Sequence, residues 1–222
     1  MSGLGYAPFP LVLAGPSGTG KTTLARRLVD GSAEFCFSVS ATTRAARPGE
    51  RDRVDYHFVE RPDFEAMVAR GELAEWAEVH GLLYGTPRGE LDSAAERGRH
   101  VVLDIDVQGA RQIRVAVPDA LLVFVLPPSV EALIERLTGR GTEGDAQVAR
   151  RLQTALDELQ AVPEFDHMVV NNDVEECLKE IKGIVRAETR RTARARALHK
   201  DVEKMRARIA RVLQTEYANV SR

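Results

Sequence analysis

An unbroken apolar run that ends in a glycine-rich loop constrains this chain more than any other feature. PFPLVLAG leads straight into Gly15-Pro16-Ser17-Gly18-Thr19-Gly20-Lys21-Thr22, and TTLARRLVD follows with Leu24, Leu28 and Val29 at helical spacing before Gly31. A short apolar run of this kind reads as a strand buried on both faces of a parallel sheet. The loop matches G-x-x-x-x-G-K-[ST] in full. Its glycines let successive backbone N–H groups turn inward around phosphate oxygens, which then rest at the positive end of the following helix. Strand, loop and helix open a βαβ unit, with Lys21 placed for β and γ phosphates and the Thr22 hydroxyl placed for Mg²⁺.

The alternation continues downstream. HVVLDID, ALLVFVLPP and HMVVN read as buried strands, while VEALIERL, DAQVARRLQTALDELQ and VEECLKEIKGIVRAE read as amphipathic helices. Strands alternating with helices predict an α/β fold, a parallel-sheet core with helices on both faces. Between about Ser40 and Arg88 the pattern changes. YHFV, LAEWAEVHG and LLYGTP lie close together without helices of crossover length, which predicts a small mixed or antiparallel insertion. A length of 222 residues suits one body carrying such subregions.

A formal net charge of −2 offers no overall reason to bind nucleic acid or an anionic membrane. The average hides a polarised end. From Arg186 to Arg222 there are eleven Lys/Arg against four Asp/Glu, a net of +7, which leaves −9 on the preceding body. Within this tail Leu198, Val202, Met205, Ile209 and Val212 recur at spacings of four and three, a short heptad seam able to pack on the body or to pair with another subunit. The basic residues read as its solvated face. Cys36 and Cys177 lie far apart without metal-ligand spacing and read as buried reduced thiols. Met1 to Pro10 has no basic leader region and the run Phe9 to Ala14 is too short to span a membrane, so the expectation is a soluble cytoplasmic protein.

Ser38-Val39-Ser40-Ala41-Thr42-Thr43-Arg44, followed by Arg47-Pro48-Gly49-Glu50 and Asp55-Tyr56-His57-Phe58, closely resembles the GMP-binding segment of guanylate kinases. Further stretches agree in order: Glu75-Trp76-Ala77, Tyr84-Gly85-Thr86, Leu103 to Gly109, and Pro127-Pro128-Ser129 leading to Arg136-Leu137 and Gly139 to Glu143. The resemblance runs from about Pro10 to Glu188 and is to the bacterial type of this phosphate-loop nucleoside monophosphate kinase family. It implies transfer of the γ-phosphoryl group of ATP to GMP, and to dGMP, by in-line displacement with Mg²⁺. It also implies a division into core (1–39, 91–137 and 153–190), GMP-binding subdomain (40–90) and helical lid (138–152), with the basic helix (191–222) beyond.

The residues make chemical sense for that reaction. An acceptor monophosphate must face another phosphate chain, so cations are required on its side. Arg44 and Arg47 can fork onto it while Ser40, Tyr56 and Tyr84 supply hydroxyls. Guanine presents N1–H and N2–H₂ donors, which call for acceptors: Glu75 and Asp106 are suitable carboxylates, and Thr86 can meet O6. Asp104 ends the apolar run VVLD where a carboxylate can bind a metal water; which of Asp104 and Asp106 serves metal and which serves guanine stays open, and a helix cap competes for either. Gly85 and Gly109 join the acceptor set through the resemblance. On the donor side it assigns ATP contacts to the loop from Gly15 through Thr23, to Arg136 and to Asn171, and catalytic roles to Lys21, Arg47, Arg140 and Arg151. Arg51-Asp52-Arg53-Val54 departs from the small or glycine-containing turn common in the family. Two other readings remain at this point: a catalytically silent phosphopeptide-binding relative, and a kinase for a different phosphate ester.

Overall fold

The computed structural model describes residues 7–79, 81–138, 145–192, 194 and 196–217. In chain order the elements are β1 (Leu11–Ala14), α1 (Lys21–Asp30), β2 (Phe35–Phe37), β3 (Ala41–Thr42), β4 (His57–Phe58), α2 (Arg61–Ala69), β5 (Leu73–Val79) and β6 (Leu82–Pro87). Then follow α3 (Arg88–Glu96), β7 (His100–Asp104), α4 (Val107–Ala116), β8 (Leu121–Leu126), α5 (Val130–Thr138), α6 (Asp145–Leu159), β9 (His167–Val170), α7 (Val174–Thr189) and α8 (Arg196–Glu216).

Five strands form a wholly parallel sheet in the order β2-β7-β1-β8-β9, so β1 and the loop after it sit at the centre. Alternation along β1 divides the core. Leu11 and Leu13 pack on one face against Leu24 and Leu28 of α1 and Ile181 and Val185 of α7. Val12 and Ala14 pack on the other against Leu91 and Ala94 of α3 and Ala110 and Ile113 of α4. Both faces are therefore covered, as an all-parallel sheet requires. Cys36 and Cys177 are buried and unbridged.

The insertion is a second, four-stranded sheet, β4-β3-β6-β5, in which β3 and β4 run parallel and the other neighbours antiparallel. It is mixed, as expected, but it is not free of helix. α2 lies within it, and α3 leads from it back to the core. Periodicity hides α2 because Phe64 is its only buried residue; Pro62 in its first turn was the readable signal. β2 and α4 were also not foreseen, β2 being only three residues long.

The tail does form a helix. Val202, Met205 and Ile209 are 50%, 64% and 60% exposed, so these positions do not pack on the body.

Candidate active site

The phosphate loop is held by its own backbone and by two neighbours. Gly15 has φ +137° and stands so close to β8 that an added Cβ would lie 2.6 Å from the Val125 carbonyl. Gly20, at φ +88°, has no room for a Cβ against the Asn171 amide. Asn171 is buried behind the loop and donates to the Thr19 carbonyl at 2.7 Å. Arg136 of α5 donates to the Gly18 carbonyl at 3.2 Å. The Lys21 ammonium is folded back on the loop, donating to the carbonyls of Gly15 (2.7 Å) and Pro16 (2.9 Å). Burial pulls its pKa down, and the nearby charges of Asp104, Glu158 and Asp106 oppose that shift. The Thr22 hydroxyl donates to the Asp104 carboxylate. Lys21, Thr22, Thr23 and Arg136 line a polar cavity of about 670 Å³ over the loop.

A second cavity, about 490 Å³, opens on the other side. It brings Ser40, Tyr56, Glu75, Tyr84, Gly85, Asp104 and Asp106 together, although they come from both sheets. Glu75 on β5 lies opposite Thr86 on β6. Only 6% of Glu75 is exposed, and its Oε1 accepts the Thr86 hydroxyl at 2.7 Å. Thr86 thus lies beneath Glu75, with its single proton directed there. Burial raises the Glu75 carboxyl to about 7; the Thr86 hydrogen bond resists this and the Asp106 charge adds to it. Gly109 stands directly behind, where an added Cβ would lie 2.9 Å from Glu75 Oε2. The neighbouring aspartates are separated by their partners. Asp104 faces Thr22, whereas Asp106 caps α4 by accepting from the Gly109 N–H at 2.7 Å.

The arginine loop is organised by Glu50, whose two oxygens accept from Arg44 Nη2 (2.8 Å) and the Arg47 backbone N–H (2.7 Å). Those two bonds, Arg44's first, hold the Glu50 carboxyl below its usual range. The Arg44 guanidinium also stacks over Tyr56, 5.3 Å from the ring centre. In the departing turn Arg53 has φ +60°, the conformation a glycine would adopt without strain. Hydrogen bonds from Arg53 N–H to the Tyr56 carbonyl and from Arg51 N–H to Asp55 close the loop. Arg151 of α6 donates to the Leu137 carbonyl at 2.8 Å, tying α6 to α5. Arg140 lies outside the described residues, as do Gly139 and Gly141 to Gly144.

A family model described as guanylate kinase matches residues 8–188. The chain belongs to the guanylate kinase family. It is 47% identical over 188 residues to a guanylate kinase of Dechloromonas aromatica, covering 85% of this chain and 93% of that one. It is 50% identical over 177 residues to one of Corynebacterium diphtheriae, covering 79% and 93%. A solved guanylate kinase structure from Anaplasma phagocytophilum superposes with a TM-score of 0.69 at 35% identity, over 85% of this chain and 89% of that one.

Within this guanylate kinase framework, three site residues escaped the sequence reading of roles. Glu50 stood in the quoted Arg-Pro-Gly-Glu stretch, yet its bonds to Arg44 and Arg47 depend on a turn that spacing does not reveal. Gln112 of α4 accepts from the Trp76 N–H at 3.1 Å and donates to the Trp76 carbonyl at 2.8 Å. It thereby pins the strand bearing Glu75 to the helix capped by Asp106. Glu158 of α6 lines the second cavity beside Asp106 and Lys21. α8 lies beyond the matched region.

Proposed function

We propose that this chain transfers the γ-phosphoryl group of ATP to GMP, releasing ADP and GDP. One observation carries the reading: Ser17 and Lys21 line both cavities, so the phosphate loop is the wall that two nucleotides would share. ATP occupies the first cavity, with its phosphates on the loop from Gly15 to Thr23 and Arg136 beside it, while Asn171, assigned to ATP by the resemblance, holds the loop from behind. GMP occupies the second. Arg44, Arg47, Ser40, Tyr56 and Tyr84 hold its phosphate, and Glu75, Asp106, Gly85, Thr86 and Gly109 form the guanine side. dGMP carries the same base and phosphate and is accepted too.

Lys21 gives up its carbonyl partners for β and γ oxygens and stabilises the charge that develops on the transferring group. Arg47, Arg140 and Arg151 add guanidinium donors as the lid segment, 138–152, closes and excludes water. No carboxylate base is needed, since the acceptor phosphate is already an anion near neutral pH. The juxtaposed Thr22 hydroxyl and Asp104 carboxylate fit a Mg²⁺ ion and would supply its protein oxygens. When bound, that ion would neutralise charge on the phosphate chain. The division into core, GMP-binding subdomain (40–90) and lid follows the same roles.

A coupled assay of ADP formation with ATP, Mg²⁺ and each of GMP, dGMP, AMP, UMP and CMP tests the reading, with turnover expected for the guanine acceptors alone. GMP binding without turnover would instead indicate a silent relative. Cytoplasmic location fits a substrate pair of soluble nucleotides, and no described helix is long and apolar enough to cross a membrane. The exposed stripe of α8 joins two copies of the chain. Sedimentation should therefore give a dimer that Ile209→Glu converts to monomer; a wild-type monomer at tens of micromolar would refute the pairing.

A further inference from the structure

Glu158 is the carboxylate of the acceptor cavity that none of the roles above employs. It follows Arg151 by seven residues on α6, so the two share a helix face. Ala155, between them, is buried against Leu133 and Leu137 and fixes that face toward the body. The other carboxylates of the cavity are anchored: Asp104 by Thr22, Asp106 by the Gly109 N–H and Glu75 by Thr86. Glu158 accepts no hydrogen bond among the described residues, although it is partly buried. Burial raises its carboxyl to about 7, against the pull of Lys21 and with the push of Asp106.

A carboxyl desolvated in this way and aimed into a ligand cavity is costly unless the ligand brings a donor. The donors of the acceptor nucleotide are few. Its phosphate and guanine O6 are acceptors, and the guanine N–H groups face Glu75 and Asp106. The ribose hydroxyls remain. They lie between the phosphate end, marked by Arg44 and Tyr84, and the base end, marked by Glu75, and Glu158 is the cavity carboxylate still available to them.

We propose that Glu158 is a specificity-determining residue that accepts a hydrogen bond from a ribose hydroxyl of the acceptor nucleotide. The inference rests on the reading of the second cavity as the GMP site. A residue acting only through Lys21 or through the packing of α6 would affect every acceptor alike, whereas one that touches the sugar distinguishes them.

The experiment measures dissociation constants by calorimetry for GMP, dGMP and 3′-deoxy-GMP with the full chain, Glu158→Ala and Glu158→Gln, alongside kcat/KM for each. Loss of a hydroxyl-to-carboxylate bond corresponds to roughly a tenfold to hundredfold change. The wild type should bind one deoxy analogue that much more weakly than GMP. Glu158→Ala should weaken GMP by the same factor and leave that analogue unchanged, so the preference vanishes. Glu158→Gln, which keeps the shape and a neutral acceptor, should fall between and decides the matter if the alanine variant does not fold. Equal losses for all three sugars, or no loss for any, overturns the role of Glu158. Absence of GMP binding or turnover in the wild type would overturn the reading of the cavity itself, which is a separate outcome.

Discussion

Lys21→Ala is expected to lower kcat by about three orders of magnitude while the fold stays intact. The ammonium is the cation common to both cavities, and in the proposed transfer it sits where charge accumulates as the phosphoryl group moves. Removing one preorganised donor from such a place typically costs about 10²–10³ in rate, and cations on transferring phosphoryl groups reach beyond that. Stability should not suffer. Burial already disfavours the charged form of Lys21, and its bonds to Gly15 and Pro16 return carbonyls to an open, polar cavity when the side chain is removed. Turnover measured beside a thermal melt separates the two effects. Near-normal kcat would remove Lys21 from the mechanism, and a collapsed melt would make it a structural residue.

Glu75→Gln should cut kcat/KM for GMP by roughly a hundredfold to a thousandfold, the scale on which a buried charged acceptor discriminates. The same substitution should make the nucleotide-free protein more stable at pH 8. With a carboxyl raised from 4.5 to about 7, the folded chain binds that proton more tightly than the unfolded chain does. The contribution to stability is therefore greatest below 4.5, declines as pH rises, and levels off above about 7. The accumulated cost is about 3 kcal/mol. A neutral glutamine avoids it and can still accept from Thr86. Function runs the other way. Guanine N–H donors favour the ionised carboxylate, so wild-type affinity should climb between pH 6 and 8, by up to about tenfold per unit below 7. Guanosine serves as the ligand for this measurement, because the second ionisation of a phosphate falls near pH 6. A flat profile for guanosine, or a variant that melts earlier at pH 8 than the wild type, would contradict the assignment.

These opposed expectations show what Glu75 costs. β5 and β6 bury a carboxylate between Thr86 and Gly109, in a place where an apolar side chain would be more stable. Gln112 locks the strand that carries it. Gly109 fits closely behind the carboxylate, and any larger residue would press on the group proposed to meet the base.

Much of this was legible before folding. β1, the phosphate loop and α1 are local features: an apolar run, glycines where the backbone must turn and approach an anion, and a helical stripe all act within a few residues of one another. The parallel core followed from the alternation, and the mixed insertion from its interruption. The motifs also brought most of the residues lining the second cavity to notice. Less was visible where an element is short or weakly amphipathic, as with α2, whose one buried side chain leaves no period to read. Asp104 and Asp106 could not be told apart by spacing. The fold separates them because one ends β7 beside Thr22 and the other begins α4.

The linear order of residues thus determined the chemistry on offer: a glycine-rich phosphate loop, arginines and hydroxyls suited to a second phosphate, and carboxylates suited to a guanine edge. Tertiary structure alone decided which of those groups meet. The partners of Glu75 and Glu50 come from another strand and from a closed turn, and Glu158 is brought beside Lys21 and Asp106 from a distant helix; hydrogen bonding and desolvation, which set each carboxylate's charge, act through space and leave no periodic trace along the chain.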